Sequence, residues 1–529
     1  MRFHLPTFAS RYRFWFLLIF ISLNALLLFL VYRHETVPYP TGWDAPYYIL
    51  RIREFLERGI VAQRFGFVLV MSVIHLVTRI PVMTEVAWAS PVLMVLTATG
   101  VASLVYAATQ RSLLGFSLTF AVTLWSPLNV ILSTGTFDNA FGMVLLFLAL
   151  WILRWTGPTW WRGIVLAIVA GLIGWTHIET YALFLFIVAL YEVLRLYRHK
   201  SIRLWWAHEY DIITAILSGV LVGVWHWAGT LDRLFTSYTT KVGPGGNASI
   251  PYAQSATLTS VINYLQTGIP DSTVLWIVLV TLIVLGYRVL RRHDRATDLF
   301  ISYILVGYAV LLFAIYRSSI PINRAILLVP ANALIGYGIY YIIRLPKRLH
   351  LTIGVLVVIW AYFVFVTPTA FIATIRRLSP SISPTTFAAY QSLATYVRDH
   401  RITTYVVLVD IPTHEPAASA YYQLWTNWLS ATRSVGTTTD QFCIYLGSLT
   451  NYRQNVQTLR DNQQEYNDTS LEAHRCFNRM INAFPGTPTL FVIQGMYFSS
   501  FSQPAWSAVT EVITPNLGLI NLSTSAVIP

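Results

Sequence analysis

The chain has 529 residues, of which 55% are hydrophobic, 15% aromatic and only 11% charged, and its formal net charge is +13. A soluble protein of this length could not bury so much apolar surface, so the composition excludes a soluble enzyme and predicts a polytopic α-helical membrane protein. Basic loops that orient membrane helices account for the positive charge, and no aromatic-interleaved basic patch indicates nucleic-acid binding.

Apolar runs long enough to cross a membrane recur along the first two thirds of the chain. A spanning helix needs about 20 mostly apolar residues. The sequence predicts about eleven such helices, at Phe14–Tyr32, Val86–Ala107, Leu113–Leu132, Phe141–Leu153, Ile164–Trp175, Tyr181–Leu194, Ile212–Ala228, Val274–Leu290, Leu299–Tyr316, Ala325–Ile343 and Leu351–Val366. The first run has no small-residue cleavage pattern after it, so we interpret it as a retained anchor. Residues 1–368 are therefore predicted to form a transmembrane domain.

The distribution of Lys and Arg predicts the orientation of these helices. With the amino terminus in the cytoplasm, alternating sides place every basic cluster between runs in the cytoplasm, as the positive-inside rule requires. The apolar stretch Phe65–Ile80, which carries His75 and Arg79, would invert this order if it crossed the membrane. We therefore expect residues 33–85 to form one external segment, with amphipathic or half-buried helices along the outer face, and residues 231–272 to form a second external loop.

The polar remainder, residues 369–529, is predicted to be a small extracytoplasmic α/β domain. Its pattern predicts one helix and two strands, at Thr386–His400, Tyr405–Val409 and Thr489–Ile493. It contains both cysteines, Cys443 and Cys476, and the sequence leaves a disulfide and two unpaired thiols equally open. It has no zinc-ligand spacing, phosphate-binding Gly-rich loop or nucleophile elbow, so we interpret it as a support or recognition module.

Two isolated acids lie on the predicted external side of the helices. Asp44 follows the first run, in the segment Thr41–Tyr48. Asp138 precedes Asn139 between the runs Leu113–Leu132 and Phe141–Leu153. Each acid has a structural interpretation as a helix cap. An ionisable residue at membrane depth costs about 2.5 to 3.5 kcal/mol, however, and is usually kept for pairing or chemistry. Their shared side therefore favours a functional site.

Other polar residues fall on the same predicted side. His177 and Glu179 interrupt an apolar stretch at a tight turn. They could belong to the site, or they could have a purely structural role in the turn. Arg317 and Arg324 flank a short external loop against the positive-inside trend. Guanidinium groups suit bidentate binding of phosphate oxygens, although snorkelling at a helix end is also open.

The order of these motifs resembles the integral-membrane C-type glycosyltransferase superfamily, which includes protein mannosyltransferases, oligosaccharyltransferases and aminoarabinose lipid transferases. The resemblance rests on an Asp ahead of a Tyr-rich helix, a Phe-Asp-Asn segment after a Trp-Ser-Pro helix, a Thr-His turn and a late external Arg. It covers roughly Phe14–Ile343. It implies a membrane enzyme of the EC 2.4 type that moves a sugar from a polyprenyl-phosphate-linked donor to an acceptor on the extracytoplasmic side.

The resemblance also implies roles for individual residues. Asp44 would be the catalytic carboxylate, and Asp138 with Asn139 would hold the acceptor or a cation. The donor phosphate would be bound by three basic residues, Arg324, Arg317 and Lys241. Four residues, His177, Glu179, Tyr47 and Tyr48, would surround these groups, and His177 could instead contact the donor headgroup.

Two questions stay open at the level of sequence. Asp44 and Asp138 could hold Mg²⁺ or Mn²⁺, but Asn139 and Ala140 follow Asp138 where more oxygen ligands would be needed, so a metal-independent mechanism is favoured. A transporter or lipid flippase for an anionic lipid-linked substrate would use the same charges to line a pathway. Such a protein would more often carry them in the middle of its helices. A noncatalytic scaffold would not need Asp44.

Overall fold

The structure is a computed structural model in which the described residues are 8–35, 45–59, 65–109, 111–126, 129–130, 132–133, 137–154, 159–199, 217–220, 222, 295–317, 331–344, 371–373, 375, 384–402, 404–410, 441–446, 489–494, 511–514 and 517–520. The chain divides into two compact units. The first, here the helical unit, comprises Met1–Val37, Val61–Pro81 and Glu85–Ser379. The second, here the sheet unit, comprises Pro38–Ile60, Val82–Thr84 and Pro380–Pro529.

The described helices follow the predicted apolar runs closely. In chain order they are α1 (Phe8–Glu35), α2 (Ala45–Arg58), α3 (Phe65–Thr78), α4 (Val82–Ala108), α5 (Leu113–Leu124), α6 (Phe137–Leu153), α7 (Thr159–Thr176), α8 (Ile178–His199), α9 (Arg295–Arg317), α10 (Ala331–Arg344) and α11 (Pro384–Asp399). The predicted runs Ile212–Ala228, Val274–Leu290 and Leu351–Val366 lie wholly or mostly outside the described residues, so the number of spanning helices stays a prediction.

Three of the described helices are long and apolar enough to cross a membrane. These stretches are Tyr12–Arg33 in α1, Val82–Ala108 in α4 and Ile178–Tyr197 in α8, with 22, 27 and 20 residues. Much of α1 exposes large apolar side chains, including Leu23 at 61% and Leu26 at 58%. An exposed apolar surface of this extent is unfavourable in water, whereas the hydrocarbon chains of lipids can cover it. The expectation of an integral membrane protein is therefore supported by the structure.

One predicted run differs from what the structure shows. The sequence predicts a single span over Leu113–Leu132, but α5 ends at Leu124 and Trp125 is its carboxyl-terminal cap. The backbone N–H of Ser126 then donates to the Thr123 carbonyl at 3.3 Å, which is a tighter turn than the α-helix. The next residue in the sequence is Pro127, and the residue before a proline is disfavoured in the α conformation. The helix therefore stops short of the apolar run.

Polar side chains hold the chain that follows α5. The Trp125 indole N–H donates to Asn24 of α1 at 3.3 Å. The Asn129 amide donates to the Met94 carbonyl of α4 at 3.2 Å and its oxygen accepts from Ser133 at 3.4 Å. These side-chain bonds connect residues at and after the end of α5 to α1 and α4.

Glycines set the closest helix contacts in the helical unit. A Cβ on Gly336 of α10 would meet the Thr119 side chain of α5 and lie 2.8 Å from the Thr119 Cα. A Cβ on Gly66 of α3 would meet the Thr176 side chain of α7 and lie 3.2 Å from the Leu172 carbonyl oxygen. Helices in a membrane gain little from the hydrophobic effect and associate through close packing of small residues. These contacts are therefore expected to determine how the bundle assembles.

The sheet unit contains a five-stranded sheet. Its strands are β1 (Thr404–Asp410), β2 (Gln441–Leu446), β3 (Thr489–Gln494), β4 (Glu511–Thr514) and β5 (Leu517–Ile520), arranged in the order β2-β1-β3-β5-β4. The first three strands in this order are parallel, and β5 and β4 are antiparallel to their neighbours. Helix and strands lie where the sequence predicts them at α11, β1 and β3, whereas β2, β4 and β5 were not predicted. The domain boundary at residue 369 stays a prediction.

Helix α11 packs on one face of this sheet through aromatic side chains. Tyr396 contacts Phe491 with ring centroids 5.8 Å apart, and Phe491 contacts Tyr405 at 5.7 Å. The Tyr396 hydroxyl donates to the Glu511 carboxylate of β4 at 3.1 Å. Burial, together with the hydrogen bond to Glu511 and its negative charge, raises the pKa of Tyr396. The tyrosine therefore stays neutral as a donor and ties α11 to the sheet edge.

The Gly336 contact yields a prediction for stability. Gly336→Ala places a methyl group against the Thr119 backbone, so we expect a loss of about 1 to 3 kcal/mol in the free energy of unfolding. Gly171→Ala on α7 is the matched control, because nothing among the described residues lies within 4 Å of its Cβ. Thermal unfolding of the two variants in detergent measures the difference. Equal transition temperatures would contradict the close contact between α10 and α5.

Candidate active site

Helices α3, α6, α7 and α8 of the helical unit meet at one end of the bundle, here called the Asp138 end. Phe67 of α3 stacks on Phe137, the first residue of α6, with ring centroids 5.4 Å apart, and it meets Phe141 edge-on at 5.9 Å. Gly66 packs against Thr176, the last residue of α7. The start of α3 is therefore wedged between the start of α6 and the end of α7.

Asp138 and Asn139 lie in the first turn of α6, and both are buried, with 1% and 5% of their surfaces exposed. A carboxylate in this position interacts favourably with the positive end of the helix dipole. Burial of an acid and an amide side by side is costly unless they have polar partners. The pair predicted as an acceptor or cation site is therefore neither a solvent-exposed cap nor part of the lipid-facing surface.

His177 forms the turn between α7 and α8 and caps α8. Its Nδ1 accepts from the Thr180 hydroxyl at 2.8 Å and from the Thr180 backbone N–H at 3.2 Å. Thr180 is the third residue of α8, so this is the bond that an N-cap side chain ordinarily makes. A backbone N–H can only donate, so Nδ1 carries no proton and the neutral ring is protonated at Nε2.

Glu179 lies beside the other nitrogen of the same ring. Its Oε2 is 3.4 Å from His177 Nε2, and its side chain is about one third exposed whereas the imidazole is buried. The carboxylate therefore lies beside the nitrogen on which the capping bond leaves the ring proton. Its negative charge favours this position of the proton.

The capping turn and the acidic pair belong to the same end of the bundle. A Cβ on Gly142 of α6 would lie 3.2 Å from Thr180 Oγ1 and 3.3 Å from His177 Cβ. Gly142 is four residues after Asp138, so the two share a face of α6 and are separated by one helical turn. Asp138 and His177 therefore lie at the same end of the bundle, with about one turn of α6 between Asp138 and the glycine that contacts His177.

Charged residues also occupy positions at the far ends of α7, α8 and α9, here called the Arg195 end. Arg195 bonds Glu192 at 3.2 Å, and both side chains are buried. Arg162, near the start of α7, and Asp298, near the start of α9, are buried as well. These residues lie where the sequence predicts the cytoplasmic boundary. Ionisable groups are therefore found toward both ends of the helices.

A buried acid that the sequence analysis missed lies after α3. Glu85 in the first turn of α4 accepts from the Thr78 hydroxyl at 3.1 Å, and His75 Nδ1 is 3.7 Å away and donates to the Ile80 carbonyl at 2.7 Å. Within the described part of the chain, the second Glu85 oxygen has no hydrogen-bond partner. The available sequence signal is an acid in the first turn of an apolar helix, whereas the sequence analysis ends the external segment at residue 85.

The remaining predicted site residues lie outside the described residues, at the end of α9 or in the sheet unit. Asp44, Lys241 and Arg324 lie outside the described residues, and Arg317 is described only as the last backbone position of α9. Tyr47 and Tyr48 lie on α2, in the sheet unit, and contact each other edge-on at 5.3 Å. Tyr48 is buried, and Arg51 lies over the Tyr47 ring at 5.1 Å. The roles of these residues stay predictions.

The described residues do not supply a metal site. Within the described ranges, no three His, Cys, Asp or Glu side chains are grouped closely enough to hold an ion. Asp138 and Asn139 would offer two oxygen ligands, whereas Mg²⁺ prefers near-octahedral oxygen coordination. The Mg²⁺ or Mn²⁺ site predicted at Asp44 and Asp138 stays a prediction, because Asp44 lies outside the described residues.

Comparison with known proteins identifies the fold. No protein family and no curated protein match the chain, but solved structures do. ArnT from Cupriavidus metallidurans in the apo state matches with a TM-score of 0.51 and 10% identity, over 97% of this chain and 99% of that one. The Archaeoglobus fulgidus oligosaccharyltransferase in the apo form gives 0.51 and 9%, over 89% and 69%.

A third match, arabinofuranosyltransferase AftD from mycobacteria, has a TM-score of 0.50 and 15% identity, over 89% of this chain but 35% of that one. All three proteins are C-type membrane glycosyltransferases. The predicted resemblance to this superfamily is therefore confirmed at the level of the fold. At identities this low the likeness carries no residue roles.

The capping role of His177 can be separated from a chemical role. His177→Ala removes the acceptor for the Thr180 N–H, and we expect it to cost about 0.5 to 2 kcal/mol in stability. His177→Asn retains a side-chain acceptor at the N-cap and should unfold at the wild-type temperature. Thermal unfolding of both variants in detergent measures the cap. If Asn is as destabilising as Ala, the imidazole does more than cap the helix.

Proposed function

We propose that this protein is a glycosyltransferase that moves a sugar from a polyprenyl-phosphate-linked donor to an acceptor on the extracytoplasmic side of the membrane. The observation that carries the proposal is the buried Asp138–Asn139 pair beside the His177 turn, at one end of a bundle with the C-type fold. Hydroxyl-rich ligands are bound by carboxylates that accept hydrogen bonds and by amides that donate and accept them. The pair is suited to a sugar or to an acceptor hydroxyl.

An apolar surface next to the Asp138 end suits a lipid-linked donor. Helix α3 begins among the buried site residues, and its second half exposes apolar side chains, with Val73 at 51% and Val77 at 78%. At 14 residues the helix is about 21 Å long, too short to cross a hydrocarbon layer of about 30 Å. A half-buried helix of this kind offers an isoprenoid tail a path along its exposed side while the headgroup reaches the site.

The proposed transfer is a single displacement at the anomeric carbon. The acceptor hydroxyl oxygen forms a bond to that carbon, and the bond between the carbon and the phosphate oxygen breaks with both electrons leaving on the polyprenyl phosphate. The acceptor proton passes to the Asp44 carboxylate, which acts as general base. Arg324, Arg317 and Lys241 would stabilise the negative charge on the departing phosphate.

Residues at the Asp138 end would position the reactants in this scheme. Asp138 and Asn139 would bind hydroxyl groups, and their burial would exclude competing water. The His177 and Glu179 pair would keep the α7–α8 turn rigid, because His177 Nδ1 caps α8 and Glu179 Oε2 lies 3.4 Å from Nε2 of the same ring. In this proposal His177 supports the site and takes no proton from the substrate.

The catalytic carboxylate is tested by a transfer assay. Detergent-purified wild type should cleave or transfer radiolabelled sugar from at least one member of a panel of polyprenyl-phosphate-linked sugars. Asp44→Asn should lower the rate by about 10² to 10⁴, as expected for loss of a general base. Arg324→Ala should lower it by about 10² to 10³, as expected for loss of one charge-stabilising group. The released sugar is measured by scintillation counting.

Asp399→Asn is the matched control for this assay, because Asp399 is an exposed acid of α11 on the same predicted side and has no role in the proposed scheme. It should retain the wild-type rate. Turnover that survives in folded Asp44→Asn would contradict the catalytic assignment. A folded wild type that moves intact donor across a vesicle membrane and never cleaves it would favour the lipid flippase instead.

A further inference from the structure

The second half of α3 and the turn that follows it, residues 73–80, form an exposed apolar surface, here called the α3 tip. The first residues of α3 are buried, but between 39% and 78% of each apolar residue of the tip is exposed, namely Val73, Ile74, Leu76, Val77 and Ile80. Val73, Leu76 and Val77 are three and four residues apart and therefore share one face of the helix. Such a dense apolar surface is a docking surface for a membrane or a partner.

Polar groups of the turn are satisfied within the tip itself. The Arg79 backbone N–H donates to the His75 carbonyl at 2.8 Å, and the Ile80 backbone N–H donates to the Thr78 hydroxyl at 3.3 Å. His75 Nδ1 donates to the Ile80 carbonyl at 2.7 Å. Hydrocarbon contains no water that could replace such bonds, so a segment that enters it must make them internally. The α3 tip meets this condition, which favours lipid as the partner.

The α3 tip lies at a membrane boundary. Helix α4 begins directly after it, at Val82, and is long and apolar enough to cross the membrane. Its 27 residues span about 40 Å, more than the roughly 30 Å of a hydrocarbon layer. The residues that precede α4 are therefore at the level of the lipid headgroups and the adjoining acyl chains. The distribution of basic loops predicts that this boundary is the extracytoplasmic one.

Arg79 places a positive charge on this apolar surface. The residue is exposed, and its backbone is left-handed, with φ 59°. Side chains rarely adopt this conformation, and the chain at a helix end usually supplies glycine for it. Glu85, the acid nearest to Arg79 in the sequence, is buried and accepts from Thr78. An arginine beside exposed apolar side chains covers them with its stem and extends its charge to the lipid headgroups.

We infer that the α3 tip inserts into the outer leaflet and that Arg79 binds the phosphate of an anionic glycerophospholipid there. The apolar side chains contact the acyl chains, and the guanidinium group complements the negative headgroup. The contact anchors the exposed end of a helix whose other end packs against α6 and α7. The inference concerns a membrane lipid and does not depend on the proposed sugar transfer.

The test is photo-crosslinking from the tip to the surrounding lipids. The photoreactive residue p-benzoylphenylalanine replaces Val77 in the full chain, which is reconstituted in nanodiscs with equimolar phosphatidylglycerol and phosphatidylcholine of identical acyl chains. Mass spectrometry gives the ratio of the two lipid adducts. The same residue in place of Leu23, exposed near the middle of the α1 span, reports the ratio in the surrounding bilayer. Phosphatidylglycerol should be enriched about fivefold at position 77 relative to position 23, as expected for one basic residue near the membrane surface.

Two substitutions of Arg79 separate its charge from its place in the fold. Arg79→Gly and Arg79→Gln should both abolish the enrichment while lipid adducts still form at position 77. Arg79→Gly should also unfold at or above the wild-type temperature, because glycine adopts a left-handed backbone without strain. Arg401→Gly is the matched control, since Arg401 is exposed and left-handed, with φ 52°, but lies in the sheet unit. It should leave the enrichment unchanged.

Each other outcome overturns the inference. Adducts at position 23 but none at position 77 would show that the tip does not enter the bilayer. Equal lipid ratios at the two positions, or an enrichment that persists in both folded Arg79 variants, would exclude Arg79 as a headgroup ligand. A second set of nanodiscs contains equimolar phosphatidylglycerol and polyprenyl phosphate. Preferential crosslinking of polyprenyl phosphate at position 77 would assign the tip to the donor lipid instead.

Discussion

The cost of placing a charge in hydrocarbon constrains where the polar groups of the helical unit lie. Insertion of an ionised side chain at membrane depth costs about 2.5 to 3.5 kcal/mol. Asp138 and Asn139 open α6, His177 and Glu179 join α7 to α8, and the buried Glu192–Arg195 pair lies in the last turns of α8. The Asp138 end thus combines a buried acid and amide on α6 with the His177–Glu179 turn between α7 and α8.

Close packing of small residues makes the Asp138 end possible. Glycines on α3, α6 and α10 each face a threonine of a neighbouring helix, namely Thr176, Thr180 and Thr119. The Thr176 and Thr119 hydroxyls bond carbonyls of their own helices, at Leu172 and Gly115, so they present little unsatisfied polarity to the partner helix. The short helix α3 can therefore begin between α6 and α7, and its exposed apolar half follows from that start.

Apolar periodicity predicted most helix positions, because long apolar runs have few structural alternatives in a membrane. Where the structure differs from the prediction, the cause is the chemistry of a few individual residues. The break after Leu124 depends on the residue before a proline, a weaker signal than the apolar run that surrounds it. The cap at His177 was not predicted because imidazole is not among the usual N-cap groups, and its recognition needs the position of Thr180. The polar contacts of Glu85 depend on the turn that brings Thr78 and His75 beside it, and the sequence pattern does not predict that turn.

In the sheet unit, the local sequence predicts strands but does not predict how they pair. β1 and β3 were predicted because their hydrophobic residues run almost continuously, as in strands that are covered on both faces. The pairing of β1 with β2 on one side and β3 on the other is a long-range property that no local pattern contains.

The central claim is that sugar transfer takes place at the Asp138 end, on the extracytoplasmic side. Its most direct test is to determine on which face of the membrane the transfer occurs. Proteoliposomes sorted for a single orientation, verified by protease access to residues 369–529, would be loaded with radiolabelled polyprenyl-phosphate sugar and given a membrane-impermeant acceptor on one face at a time. The account predicts transfer only on the face that exposes residues 369–529. Transfer on the face that exposes the basic loop after Arg195 would contradict it.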